Sequence, residues 1–310
     1  MTTSGGYLAC ATLSVWLLVG CAVAPTPDKT PELTAAELAS YESLARSKEL
    51  ATQVGVVEEE LIRRCMVAKG NRWRVPYSPS NYVYEPYKSL EVAEAAEYGY
   101  STLTLTPEAR LSDQESQLFD DSLTDAEREK QYVDLAGGAK GPKEWIVMGE
   151  GKIEYPASGC RYETQQQLYG DVKAWHEVFF AVMQINAASQ KAERSPEKGA
   201  IAKRWSKCVA EGSRNYQEPG DAILDGMEAS TRHFTDEQGY EASNYEGPTP
   251  KEIEIAVADA KCRAETGYDA TMRAATKKAI AQEAAAHEGE ILKLLEIYTA
   301  AEGRARELLG

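Results

Sequence analysis

The sequence predicts a mostly all-α protein: a helical bundle with long irregular loops, a small β-hairpin and two disulfides. Three observations carry that expectation. Helix-start signals recur ahead of apolar positions spaced three and four apart. The alternation of strand and helix patterns that marks an α/β sheet protein is missing. Four widely separated cysteines, Cys65, Cys160, Cys208 and Cys262, follow an N-terminal segment of export type.

The elements follow in order. Thr34-Ala-Ala-Glu37 has the form of a capping box, in which a hydroxyl and a carboxylate satisfy the free backbone donors of a helix start. A helix should then run through Val54, Val57, Leu61, Cys65 and Ala68, with a weak point at Gly55 and an end at Gly70. Residues 71–100 carry Pro76, Pro79 and Pro86 among Trp73, Tyr77, Tyr82, Tyr84, Tyr87, Tyr98 and Tyr100, and read as extended loop. Thr106-Pro107 reads as an N-cap and first helical residue. Thr124-Asp-Ala-Glu127 is a second capping box, with Gly137-Gly138 as the stop.

Trp145-Ile-Val-Met148 and Lys152-Ile-Glu-Tyr155, joined by Gly149-Glu-Gly151, are the hairpin. A helix from Cys160 to about Arg194, bent near Gly170, places Val172, Trp175, Phe179 and Val182 on one face. Ser195-Pro196 opens the next helix, with Ile201, Trp205 and Cys208 as its stripe and Gly212 as its end. Residues 213–247 are a Gly, Asn and Asp-rich connection with one short helix from Asp221. Thr249-Pro-Lys-Glu252 combines a capping box with proline at the first position, and its helix turns Ile253, Val257 and Ala260 inward toward Cys262. After a break at Gly267, the positions Ile280, Ala284, His287, Ile291, Leu294, Tyr298, Ala301, Ala305 and Leu308 form a heptad-like seam. Gly289 and Gly303 would weaken a free-standing helix, so the seam is expected to pack within the chain.

Residues 7–20 are uncharged and apolar, of signal-peptide length and too short for a permanent span. They end in Leu18-Val19-Gly20-Cys21, which resembles the lipobox of bacterial lipoproteins: Leu three before the cysteine, a small residue at the cut, and a thiol to take the lipid. Residues 1–6 lack the usual Lys or Arg. The expected organisation is a signal peptide over 1–20, a Pro-rich tether over 21–33, and a helical extracytoplasmic domain over 34–310 whose two halves meet near 194. Similar helix ends, Leu61-Ile-Arg-Arg-Cys65-Met-Val-Ala-Lys-Gly70 and Arg204-Trp-Ser-Lys-Cys208-Val-Ala-Glu-Gly212, suggest the halves. Lipidation at Cys21 supplies at least two acyl chains, enough for stable attachment to the outer face of a cell membrane.

A formal charge of -15 sets up a field that repels phosphate backbones, so nucleic acid is not an expected partner. The four later cysteines show no C-x-x-C pair and no histidine at ligand spacing, so neither a metal site nor a cofactor is expected. Four cysteines allow three connectivities, of which Cys65 with Cys160 and Cys208 with Cys262 is the favoured one. His176-Glu177 starts like a zinc-protease helix but lacks the second histidine, and Ser195-Pro-Glu-Lys198 lacks the companion motifs of penicillin-binding enzymes. His176 is expected to be a partly exposed helix residue, His233 a loop residue and His287 a polar core residue. Glu58-Glu59-Glu60 and Asp120-Asp121 are expected to be solvated faces.

Several stretches together resemble a family of uncharacterised predicted lipoproteins of actinobacteria. They are the lipobox, Cys65-Met66, Leu123-Thr-Asp-Ala-Glu127, Gly159-Cys160 with Leu168-Tyr-Gly-Asp171, Trp205-Ser-Lys-Cys208, and Ala256-Val-Ala-Asp259-Ala-Lys-Cys262 before a long final helix. The resemblance implies export, anchoring and helices, and no activity. With no catalytic motif in view, the expected function is a non-enzymatic envelope lipoprotein that binds another envelope protein or cell-wall glycan. Its contact would lie on Trp73, Tyr77, Tyr82, Tyr84 and Tyr87, although the same rings would also serve to seal a helical core. A wall-acting hydrolase with unidentified acids is the alternative. Cys21→Ser should release the protein into the medium, and fractionation of the mutant with the membrane would refute the anchor.

Overall fold

The computed structural model describes residues 32–74, 84, 85, 87–103, 115–148, 151–212, 214–235, 241–245 and 247–310, with side chains left out at 102, 232–235 and 241–245. The lipobox, the tether up to residue 31, Thr106-Pro107, Tyr77 and Tyr82 lie outside the described residues.

Helix α1 spans Ala35–Ala68, and its capping box is complete: Thr34 accepts the Glu37 N–H at 3.2 Å and Glu37 accepts the Thr34 N–H at 2.7 Å. The helix passes Gly55 without a break. Its buried stripe holds Leu44, Leu50, Val54, Ile62 and Met66, while Leu61 and Cys65 sit at the edge and Ala68 is exposed. The stripe is rotated from the expected one because α1 is flanked by several helices, and their positions set the buried arc.

The segment expected to be loop contains α2, Val92–Tyr98, and a 3-10 turn over Gly99–Leu103. Ala95, Tyr100 and Leu90 enter the core there. A helix over 115–121, α3, precedes α4, Asp125–Ala136, which has the second complete capping box and stops at left-handed Gly137. Strands β1, Lys143–Met148, and β2, Gly151–Pro156, pair antiparallel, with Trp145 opposite Glu154 and Val147 opposite Lys152.

Gly170 separates α5, Gly159–Tyr169, from α6, Val172–Gln184, which Asp171 caps through the Ala174 N–H at 2.9 Å. A 3-10 turn over Ile185–Ala188 leads to α7, Ser189–Glu193, so the expected single bent helix is several pieces. Helix α8, Pro196–Glu211, is capped by Ser195 and buries Ile201 and Trp205. Helix α9, Pro219–Glu228, is followed by a second antiparallel hairpin, β3 (Thr231–Thr235) and β4 (Glu241–Tyr245), in the stretch read as a connection. His233 therefore lies on a strand and not in a loop.

Helix α10, Pro250–Thr266, is capped by Thr249 and ends at left-handed Gly267. It is turned relative to the expected face: Glu252, Ile255, Ala256, Asp259, Ala260 and Arg263 are buried, whereas Ile253 and Val257 are half-buried. The seam is carried by two helices, α11 (Tyr268–Ala286) and α12 (Glu288–Leu309), with His287 at the joint. Ile280, Ala284, Ile291, Leu294, Tyr298, Ala301 and Ala305 are buried as expected.

Apolar side chains gather into two large cores. The first is built from α1, β1, β2, α5, α6, the second half of α11 and α12, and the second from α2, α8, α9, α10 and the first half of α11. Helix α11 belongs to both, giving Ile280 and Ala284 to one and Tyr268 and Met272 to the other. A smaller cluster of Ile62, Met66 and Cys160 surrounds one disulfide. Both expected disulfides are formed: Cys65–Cys160 ties α1 to α5 and Cys208–Cys262 ties α8 to α10, across 95 and 54 residues respectively. Each cross-link restricts the unfolded chain by closing a long loop. Replacing both Cys208 and Cys262 with Ala should cost up to about 4 kcal/mol in denaturant unfolding. An unchanged midpoint would show that the bond contributes nothing to the fold.

Candidate functional site

The described members of the aromatic segment are not gathered into one surface. Trp73 is half-buried against the cluster of Ile62, Met66 and Cys160 at the first disulfide. Tyr84 packs on the first core and its hydroxyl donates to Asn186 Oδ1 at 3.0 Å. Tyr87 packs on the second core and donates to Asp269 Oδ1 at 2.8 Å. The segment is stitched across three clusters, so each described ring spends much of its area on sealing the body.

Tyr87 leads into a buried polar network. Asp259 Oδ1 accepts from Trp205 Nε1 at 2.9 Å and from Arg263 Nε at 2.7 Å, and Arg263 Nη1 reaches Asp269 Oδ1 at 3.1 Å. Asp269 Oδ2 also accepts the Leu90 N–H at 3.2 Å. Asp259 is 1% exposed and Arg263 4%, so the centre of this network is shut off from solvent while it holds α8, α10, α11 and the chain before α2 together. Burial pushes the Asp259 pKa up against the opposing pull of Arg263. Glu252 is also fully buried and accepts the Tyr100 N–H at 2.8 Å. Its carboxylate, expected to complete a capping box with Thr249, turns inward because the backbone at Tyr100 needs an acceptor away from water. Gly99 (φ +59°) and Gly226 permit this: a Cβ on Gly99 would strike Glu252, and one on Gly226 would meet the Tyr100 ring at 2.6 Å.

The histidines fall differently from expectation. His176 is 8% exposed, with the Tyr155 ring at 4.2 Å and the Trp175 ring at 4.5 Å. It is a core residue because the first hairpin folds over α6. His287 is 39% exposed at the joint between α11 and α12, near Glu283 and Glu290, and not in the core. Asp120 and Asp121 are exposed as expected. Glu58 is not merely solvated: it accepts from Tyr169 Oη at 2.7 Å and Gln165 Nε2 at 2.9 Å. Among the described residues no cluster of His, Cys, Asp and Glu has the arrangement of a metal site.

The first hairpin presents an outward apolar face. Strand alternation sends Ile146 and Met148 toward α6 and leaves Trp145 53% and Val147 64% exposed. Lys152 Nζ stands 5.7 Å from the Trp145 ring centre, and Lys143 Nζ pairs with Glu154 Oε1 at 2.6 Å on the same face. The supporting side is fixed: Ile146 is 1% exposed, and the Tyr155 hydroxyl donates to Glu144 Oε2 at 2.7 Å. Sequence reading located this strand but not its role; the signal was the period-two pattern, which leaves Trp145 and Val147 without a core to serve.

No helix among the described residues is long and apolar enough to cross a membrane. Both disulfides are formed, as in chains that fold in an oxidising, extracytoplasmic compartment. In comparisons with known proteins, no family model, no curated protein and no solved structure matches the chain.

Burial of His176 among aromatic rings penalises its charged form and pushes its pKa down to about 4 from 6.5, with the Glu144 charge opposing. Between those two values the unfolded chain binds a proton that the folded chain refuses. Stability from this group is therefore complete above pH 6.5 and falls as the pH drops toward 4. His176→Phe should lose less stability over that interval than the parent, by up to about 3 kcal/mol. Parallel pH dependences in urea melts would refute the assignment.

Proposed function

We propose that this protein is a membrane-anchored extracytoplasmic lipoprotein that acts as a non-enzymatic binding module of the cell envelope, with the outer face of the first hairpin as its contact. One observation carries the reading: a tryptophan and a valine stand more than half exposed on a strand whose opposite side is locked into the core. Leaving large apolar area in water has a free-energy cost, and a rigid support avoids ordering costs on binding. The lipobox and the Pro-rich segment support the anchored part of the reading, and the disulfides support the compartment.

Cell-wall glycan fits this face best. An indole ring offers a flat apolar surface to the C–H face of a sugar, while Lys143, Lys152 and Glu154 stand at its rim to meet hydroxyl groups. An envelope protein that buries Trp145 as an anchor is the other partner class. Trp145→Ala should weaken retention on isolated wall glycan by about tenfold or more, and Trp145→Phe by less. Full retention by Trp145→Ala would remove the hairpin from the function.

A further inference from the structure

Near the end of α6, two hydrogen-bond donors converge on one poor acceptor. Lys48 on α1 directs Nζ at the sulfur of Met183, 3.1 Å away. Asn186 directs Nδ2 at the same sulfur, 3.8 Å away. A thioether is among the weakest acceptors in a protein. The amide is oriented this way because its oxygen is taken by the Tyr84 hydroxyl.

Lys48, like several other lysines of the chain, has no carboxylate within ion-pair distance among the described residues, and its side-chain contact is the Met183 sulfur. Lys48 is also half-buried, and burial lowers its pKa, so its ammonium lacks both full hydration and a counter-charge. Next to it the Tyr41 and Tyr84 rings lie 6.0 Å apart, and Lys277 Nζ stands 5.0 Å from the Tyr41 ring centre. Met183, on which both donors converge, is 39% exposed, so the site lies at the surface.

We propose that Lys48 and Asn186 form a binding site for an oxyanion of the phosphate class, with the Tyr41–Tyr84 pair and Lys277 forming its flank. A phosphate oxygen would replace the sulfur as acceptor for Lys48 Nζ and Asn186 Nδ2, converting two poor contacts into charge-assisted hydrogen bonds. The site depends on no reading of the hairpin or of the N-terminus. Free phosphate and the headgroup of an anionic lipid share this chemistry.

The test uses the full chain carrying Cys21→Ser, so that no lipid anchor contributes. Binding of inorganic phosphate is followed by line broadening of its phosphorus resonance, and binding of phosphatidylglycerol vesicles by flotation. At least one probe should bind, and the one that does identifies the source. Lys48→Met should weaken that binding by about tenfold or more while leaving the melting temperature equal or higher, and Asn186→Ala should weaken it less. Lys203→Met, on the exposed side of α8, should leave it unchanged. Absence of binding by both probes, or equal binding by the parent and Lys48→Met, would overturn the site.

Discussion

The Asp259–Arg263 pair is the interaction on which the second core depends. Two charges that share almost no water must satisfy one another, and each carries additional partners that fix a separate piece of chain. Through Trp205 the pair sets the position of α8, and through Asp269 it sets the start of α11 and the Tyr87–Leu90 segment. The apolar residues around it supply most of the burial, but they do not dictate a unique arrangement. Directional hydrogen bonds inside a low-dielectric core do, because an arrangement that leaves Asp259 or Arg263 unmatched is strongly penalised. The disulfide between α8 and α10 ties the same two helices covalently.

Much of the fold was legible because its helix starts rely on local chemistry. Thr34, Thr124, Ser195 and Thr249 each accept a backbone hydrogen bond three residues ahead, and that pattern is visible in sequence without tertiary knowledge. The seam from Ile280 to Ala305 and the presence of two disulfides were legible for related reasons, period and parity, although parity alone does not choose among the three connectivities. What stayed hidden depends on distant partners. Glu252 has the right spacing for a capping box, yet an acceptor was needed at Tyr100, 152 residues away in the chain. His176 looks like an ordinary helix residue until β2 delivers Tyr155 against it. Thr-Arg-His-Phe-Thr at 231–235 carries too little alternation to announce a strand, and its pairing with 241–245 supplies what its pattern lacks.

The surface proposals follow from the same division. Aromatic residues crowded in sequence, such as Trp73, Tyr84 and Tyr87, were diverted to different cores, because a proline-broken strap must be fastened at several points to stay folded. Residues of lesser density, Trp145 and Val147, were left outside because one side of a two-stranded ribbon has nothing to cover it. Local crowding of a residue type is thus a weaker guide to a contact surface than parity on a strand.

Helix α1 has a mechanical consequence. Its 34 residues give a rod about 50 Å long that lies along α11 and α12 and reaches α4 and α5. The bond from Cys65 to Cys160 sits in its last turn, far from Ala35. A pull applied at residue 35 along the rod would load its side contacts in shear, many at once, and would meet a covalent stop at the far end. Peeling such an element away requires sliding the whole rod or rupturing a sulfur–sulfur bond, so tension entering at that end is distributed through the first core before any single contact yields.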